Sequence, residues 1–79
     1  MASRAINRLS ARFVQTTTEQ GYHHDGAGLY LRVSATGAKS WVLRYSINKR
    51  SREMGIGSLA LFSLQDARAR AMAARRKIA

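Results

Sequence analysis

Two arginines, each embedded in a short apolar segment, are the side chains of this sequence best suited to binding chemistry. Arg32 lies in residues 29–34 and Arg44 in residues 40–47. Because successive strand residues point to opposite faces, each arginine falls on the face opposite the large apolar side chains. A guanidinium can donate paired hydrogen bonds to a phosphate or to the edge of a guanine. The pattern therefore predicts a surface that binds anions or nucleic acid.

Other polar and basic residues extend this predicted surface. Lys49, Arg50 and Arg52 at the following turn complete a basic patch with Arg32 and Arg44, and Tyr30 and Ser46 share the outer face of the strands. A solvated sheet face is the alternative interpretation of each charge taken alone, because arginine is common on surfaces. The clustering of the charges favours binding.

The segment His23-His24-Asp25 is the second candidate for chemistry. Adjacent residues of an extended segment point in opposite directions, and no third ligand is spaced for a metal ion. Two imidazoles beside a cationic surface could also cleave RNA by acid–base catalysis, but that reaction needs opposed rings in a cleft. We expect no metal and no cofactor here, and interpret the segment as a polar turn that can hold a phosphate when its histidines are protonated.

Tyr22, Tyr30 and Tyr45 are candidate nucleophiles. A tyrosine attacks a phosphorus atom only where several arginine and histidine side chains converge to stabilise the pentacoordinate phosphate. The sequence shows no such convergence. Tyr45 shares the core-facing parity of Trp41, whereas Tyr30 shares the outer face with Arg32 and can stack or bond to a phosphate. We therefore expect no catalytic residue in this chain.

The composition narrows the range of functions. The chain has 79 residues, 14 Lys and Arg, 4 Asp and Glu and no Cys, with a formal net charge of +10. Such a length allows one small domain, and the lack of Cys excludes disulfides, a thiol nucleophile and a Cys-based zinc site. The apolar runs are too short to span a membrane, so we expect a soluble, cytoplasmic protein. A polyanion is the expected partner, and nucleic acid, an anionic membrane surface and an acidic protein all fit.

Alternation of apolar and polar residues predicts the sheet that carries these side chains. Two runs, Leu29 to Ser34 and Ser40 to Ile47, form a hairpin, and residues 51–57 add a third antiparallel strand. Before them, Tyr22 to Gly28 is interpreted as a turn, and residues 1–21 as a short helical or irregular lead-in. The domain proper is thus predicted to cover residues 22–79.

A helix should begin at about Ser63, which forms a capping box with Asp66. An apolar stripe at steps of three and four then covers the inner face of the sheet; its members are Leu64, Ala67, Ala71, Ala74 and Ile78. The predicted fold class is α+β, a three-stranded antiparallel sheet backed by a C-terminal helix. Because the helical pattern stops at Ala79 without a cap, we expect the chain to be a fragment of a longer protein.

With these residues in place, the chain resembles the N-terminal arm-type DNA-binding domain of prophage and genomic-island tyrosine recombinases, the integrases. The resemblance covers about residues 9–79 and rests on patterns in a fixed order. They are Asp25-Gly26, Gly28-Leu29-Tyr30-Leu31 and Val33, Gly37, Lys39-Ser40-Trp41, Leu43-Arg44-Tyr45, Gly57, and Leu64 with Asp66-Ala67-Arg68.

The resemblance implies that the outer face of the sheet enters the major groove of arm sites, which flank the crossover core. The implied DNA-facing residues are Tyr30, Arg32, Arg44 and Ser46. Double-stranded DNA is the implied partner, together with other integrase protomers and DNA-bending accessory proteins, and no membrane. The family's catalytic residues belong to a later domain.

Two other functions stay open at the level of sequence. A double-stranded RNA-binding domain has the same predicted order of helix, three strands and helix, but reads RNA with its helices and a loop. A module that binds an acidic protein would show no dependence on phosphate.

Overall fold

In a computed structural model, the chain is described over residues 8–78. The elements there are α1 (Ala11–Thr16), β1 (Gly21–Gly26), β2 (Leu29–Val33), β3 (Lys39–Ile47), β4 (Arg50–Ser58) and α2 (Leu64–Ile78). The four strands form one antiparallel sheet in the order β1-β2-β3-β4, so each strand pairs with its neighbour in the chain. The α+β class with a C-terminal helix is confirmed. Neither helix in this range has the length and apolar character needed to cross a bilayer.

The number of strands corrects the sequence prediction. Residues 22–28 were expected to form a turn, but Gly21–Gly26 pairs with β2 as a further strand, with Tyr22 opposite Arg32 and His24 opposite Tyr30. Its glycines, histidines and aspartate give no apolar alternation, which is why the pattern failed to predict a strand. The turn is confined to the bend between β1 and β2, where Ala27 has a φ of 53°.

The core lies between the inner face of the sheet and the two helices. Leu31, Trp41 and Leu43 are completely buried, and Val14 of α1 is 1 % exposed. The indole Nε1 of Trp41 donates a hydrogen bond to the Phe62 carbonyl oxygen at 2.9 Å, which satisfies the polar atom of this side chain. The predicted parity of β2 and β3 is therefore confirmed.

The start of α2 follows the predicted cap. The Asp66 backbone N–H donates to Ser63 Oγ at 3.2 Å, and the Ser63 N–H donates to Asp66 Oδ2 at 3.3 Å. Ala67 and Ala71 are buried against the sheet, where their small side chains allow the helix a close approach. The stripe is confirmed as far as Ala74, which packs on the core; the side chain of Ile78 lies outside the described atoms.

The lead-in contributes to the same core. Of the predicted helical stretch, Ala11–Thr16 is helical, with the Phe13 N–H bonded to Ser10 Oγ at its start, and residues 1–7 lie outside the described part. At its end, Lys39 Nζ donates to the carbonyl oxygens of Val14 and Gln15 at 2.9 and 3.0 Å. A β3 side chain thus holds α1 against the sheet.

Candidate nucleic-acid interface

The outer face of the sheet, opposite α2, carries mostly polar, charged and aromatic side chains. Cross-strand partners share a face, and their pairing assigns these residues to it. The pairs are Tyr22–Arg32, His24–Tyr30, Arg32–Ser40, Tyr30–Val42, Arg44–Glu53 and Ser46–Ser51. We refer to these residues as the outer face. Four of the predicted site residues, Tyr30, Arg32, Arg44 and Ser46, lie on it.

An aromatic cluster occupies the middle of the outer face. The His24 ring stacks on Tyr30 with centroids 4.5 Å apart, and Tyr22 meets Tyr30 edge-on at 6.1 Å. The guanidinium of Arg44 lies 5.3 Å from the Tyr22 ring centroid and 5.4 Å from that of Tyr30. Both distances fall in the range of cation–π attraction, so the rings help to hold Arg44 in place.

This cluster brings a histidine and an arginine close to Tyr30. His24 lies on β1, a strand that the sequence did not predict, and Arg44 lies on β3. His24 stacks flat on the ring, with 23° between the two planes. The arrangement forms an aromatic platform for stacking and for polar contacts.

Arg44 is also paired with a carboxylate. Its Nε lies 3.3 Å from Glu53 Oε2, across the β3–β4 pair, and the two side chains are 55 % and 41 % exposed. The backbone of Arg44 is fixed as well, because its N–H donates to the Gly28 carbonyl oxygen at 2.8 Å. A side chain at position 28 would collide with the Arg44 carbonyl oxygen. Arg44 is thus positioned from its backbone to its guanidinium.

Arg32 is exposed and has neither an ion pair nor a side-chain hydrogen bond within residues 8–78. It faces Ser40, which precedes Arg44 by four residues on β3. With about 3.3 Å per strand residue, the Cα atoms of the two arginines are separated by roughly 13 Å along the sheet. The two guanidinium groups therefore lie on the same face but can contact separate parts of a ligand.

The remaining predicted site residues lie apart from this face. Arg50 pairs with Ile47 and Arg52 with Tyr45, so both arginines share the face of the core side chains, and both are exposed. Lys49 lies in the two-residue turn, where Asn48 and Lys49 have φ values of 51° and 65°. Because this turn is so short, β4 already begins at Arg50. The structure does not bring these three side chains onto the outer face.

The two histidines diverge, as the sequence predicted, but on a strand. His23 points to the core side, where its Nε2 lies 2.8 Å from the Glu19 carbonyl oxygen and its ring contacts Phe13. His24 points to the outer face. Over residues 8–78, no three His, Cys, Asp or Glu side chains come close enough to share a metal ion.

A buried ion pair joins β1 to α2. Its two residues occur in the motifs Asp25-Gly26 and Asp66-Ala67-Arg68, but no sequence pattern predicted that they pair. Asp25 is 2 % exposed, and its two carboxylate oxygens accept hydrogen bonds from Arg68 Nη2 at 2.8 Å and Nε at 2.9 Å. The Leu9 N–H donates to the same carboxylate, and Arg68 Nη2 also donates to the Leu9 carbonyl oxygen. Three distant segments of the chain are joined at this point.

The electrostatics of Asp25 follow from these contacts. Burial by itself raises the pKa of a carboxyl group, but the hydrogen bonds from Arg68 and Leu9 and the charges of Arg68 and His24 outweigh it. The pKa of Asp25 is held below its ordinary value of 3.8. The carboxylate is therefore ionised at neutral pH.

Comparison with known proteins identifies the domain. The family model for the arm DNA-binding domain matches residues 4–79. The chain belongs to this family. It is 44 % identical over 54 residues to the integrase of Shigella phage Sf6 and, equally, to the prophage integrase IntS of Escherichia coli K12. Each match covers 68 % of this chain and 14 % of the integrase, so the arm domain spans a small part of those relatives. The resemblance to integrase arm domains is confirmed.

Proposed function

We propose that this arm DNA-binding domain binds double-stranded DNA sequence-specifically at arm-type sites. In doing so, it positions a tyrosine recombinase for integration and excision of a prophage or genomic island. The observation that carries the proposal is the placement of Arg32 and Arg44 on the outer face of the two central strands. Membership of the family supports DNA as the ligand, and the relatives named as integrases support the role in integration.

The geometry of the outer face suits the major groove of DNA. That groove admits a two-stranded ribbon, and β2 and β3 form one on whose outer side Arg32, Arg44 and Ser46 are exposed. A separation of roughly 13 Å between the two arginines corresponds to about four base-pair steps of 3.4 Å. Each arginine can then donate to a different guanine, while Tyr30 and Ser46 donate to phosphates.

In this proposal, the three basic residues near the β3–β4 turn bind phosphates and do not read bases. They are Lys49, Arg50 and Arg52. They lie at the end of the β3–β4 hairpin, away from the base-reading face. Positive side chains beside a surface that enters a groove are suited to phosphates of the flanking backbone, which add affinity without sequence information.

The proposal assigns binding to this domain and bond cleavage to another part of an integrase. The aromatic cluster lies on an open sheet face, with Tyr22 exposed and Tyr30 half-buried, whereas phosphoryl transfer needs donors that converge on the reacting phosphate. Incubation with nicked suicide substrates that carry arm and core sites should give no covalent adduct between this chain and DNA.

Double-stranded RNA binding is the alternative function, and the comparisons give it no support. The additional strand β1 also departs from the helix, three strands and helix of RNA-binding modules.

The proposed function is tested by selecting duplexes from a random DNA pool and measuring binding to the selected duplex, a scrambled duplex and duplex RNA at several salt concentrations. We expect the selected DNA to bind best, with a slope of log K against log salt of about 0.9 per neutralised phosphate. Equal binding of all three duplexes would contradict sequence-specific DNA recognition.

A further inference from the structure

Glu53 stands out because it places a negative charge on the DNA-facing side of a strongly basic chain. The sequence has 4 acidic residues. Asp25 forms the buried ion pair, Asp66 caps α2, and Glu19 lies exposed before β1. Glu53 alone of these four lies on the outer face, opposite Arg44. A carboxylate there repels phosphates, so attraction to the DNA backbone gives no reason for it.

Fold stability does not account for Glu53 either. Both partners of the Arg44–Glu53 pair are largely exposed, and ion pairs in such positions contribute little to stability because water and salt screen them. The pair does restrict Arg44, whose guanidinium also lies near two tyrosine rings. The contact with Glu53 therefore orders the Arg44 side chain with little effect on the stability of the fold. Such order is useful for binding a ligand.

The closest approach of the pair leaves hydrogen-bonding groups for a ligand. Glu53 meets Arg44 through Nε and Oε2. The terminal Nη atoms are donors, and the second carboxylate oxygen is an acceptor. The pair therefore presents donors next to an acceptor on one rigid surface. In the major groove, a G·C pair presents the N7 and O6 acceptors of guanine beside the N4 donor of cytosine, whereas an A·T pair presents acceptor, donor and acceptor.

We propose that Glu53 is a specificity-determining residue that reads one G·C base pair together with Arg44. Arg44 donates to guanine O6 and N7, and Glu53 accepts from the cytosine N4 amino group. Where the pair meets an A·T pair in the same orientation, Glu53 faces the O4 acceptor of thymine, which gives it no donor. Glu53 thus lowers the affinity for wrong sequences at some expense in overall attraction. This inference rests on the proposed binding of DNA by the outer face.

The test compares the base preferences of four proteins, each selected against the same random duplex pool at one salt concentration. They are the unaltered chain and the variants Glu53→Gln, Arg44→Lys and Glu19→Gln. Glu19→Gln is the matched control, because it removes the same charge from an exposed position outside the outer face. Thermal unfolding of each protein checks that the fold is retained.

We expect Glu53→Gln to reduce the preference for G·C at one position about tenfold and to bind scrambled DNA more tightly than Glu19→Gln does. Arg44→Lys should lose preference at that same position, because lysine lacks the fork that bonds two guanine atoms. Glu19→Gln should raise the affinity for all duplexes equally and leave the selected sequence unchanged.

Two outcomes would overturn the role of Glu53 while leaving the proposed function intact. One is a selected sequence that is the same for the unaltered chain and for Glu53→Gln. The other is a loss of preference at different positions in Glu53→Gln and Arg44→Lys, which would rule out joint reading of one base pair. An unaltered chain that selects no sequence at all would instead contradict the proposed function itself.

Discussion

The two arginine–carboxylate pairs of this domain use the same chemical groups in opposite environments. In the inner pair, Asp25 and Arg68 are joined at 2.8 Å, and the side chain of Asp25 is 3 % exposed. In the outer pair, Arg44 and Glu53 are 3.3 Å apart and roughly half of each side chain is exposed. The inner carboxylate also accepts from a backbone N–H, whereas the outer pair is bordered by aromatic rings and solvent.

Burial, and not the type of contact, separates charges that stabilise the fold from charges that are available to a ligand. The inner pair ties the segment before α1 and β1 to α2, and its removal leaves an unpaired charge in the protein. The outer pair is screened by water and adds little to stability, so its guanidinium can exchange solvent for DNA.

The largest effect is expected from breaking the inner pair. Asp25→Asn leaves the Arg68 guanidinium partly buried without its counter-charge, which should lower the free energy of unfolding by about 3–5 kcal/mol. Urea denaturation measures the change, and Glu53→Gln serves as the control, with an expected change below about 1 kcal/mol. Equal changes in the two variants would remove the distinction between the pairs.

Acid should weaken the same inner pair in the unaltered chain. Because the pKa of folded Asp25 lies below its ordinary value, the unfolded chain takes up this proton first as the pH falls. The stabilisation is complete above that ordinary value and is lost as the pH falls through the lowered pKa. Denaturation midpoints between about pH 6 and about pH 2 should therefore fall more steeply for the unaltered chain than for Asp25→Asn. Parallel curves would contradict the assignment.

The β3–β4 turn allows stability and DNA binding to be changed in opposite directions. Lys49 has a φ of 65°, a left-handed conformation that glycine adopts without strain. Lys49→Gly should raise the free energy of unfolding by about 0.5–1 kcal/mol and, if Lys49 contacts a phosphate, lower the salt slope of DNA binding by about 0.9. Asn48→Gly is the control, since it changes the turn and leaves the charge. An unchanged salt slope would show that Lys49 contacts no phosphate.

The smallest effect is expected from the outer pair in the absence of DNA. A double-mutant cycle with Arg44→Ala and Glu53→Ala should give a coupling of about 0.2–1 kcal/mol in unfolding free energy, as for other exposed ion pairs. It should shrink further at high salt, because screening acts on exposed charges first. A coupling free energy as large as that of the inner pair would show that Arg44 stabilises the fold and is not free to bind a ligand.

The parts of the fold with local periodicity could be predicted from the sequence. Leu31 and Arg32, or Leu43 and Arg44, are assigned to opposite faces because a shift of one residue would expose the core. The start of α2 could also be predicted, because Ser63 and Asp66 form a cap within one helical turn.

The parts that depend on distant contacts could not be predicted. β1 lacks apolar alternation and exists through its pairing with β2 and the bond between Asp25 and Arg68, 43 positions apart. Tyr22 and His24 lie on the outer face because they belong to β1, so their position could not be predicted without this strand. Arg50 and Arg52 were grouped with Arg44 by proximity in sequence, but the register of β4 turns both to the other face.

Recognition of DNA by the outer face is tested by comparing three variants that each lack one arginine. Arg32→Ala and Arg44→Ala remove outer-face arginines, and Arg76→Ala removes the same charge from an exposed position on α2. Arg76 is a better control than Arg75, whose guanidinium contacts the Ala27 carbonyl oxygen. Each is titrated at one salt concentration against selected, scrambled and RNA duplexes.

We predict that each outer-face variant weakens binding to the selected DNA by about 1–3 kcal/mol and relaxes the base preference at one position. Arg76→Ala should weaken binding to all three duplexes slightly and equally, because it removes only long-range electrostatic attraction. A larger loss for Arg76→Ala than for the outer-face variants, or unchanged base preference in all three, would contradict reading of DNA by the sheet.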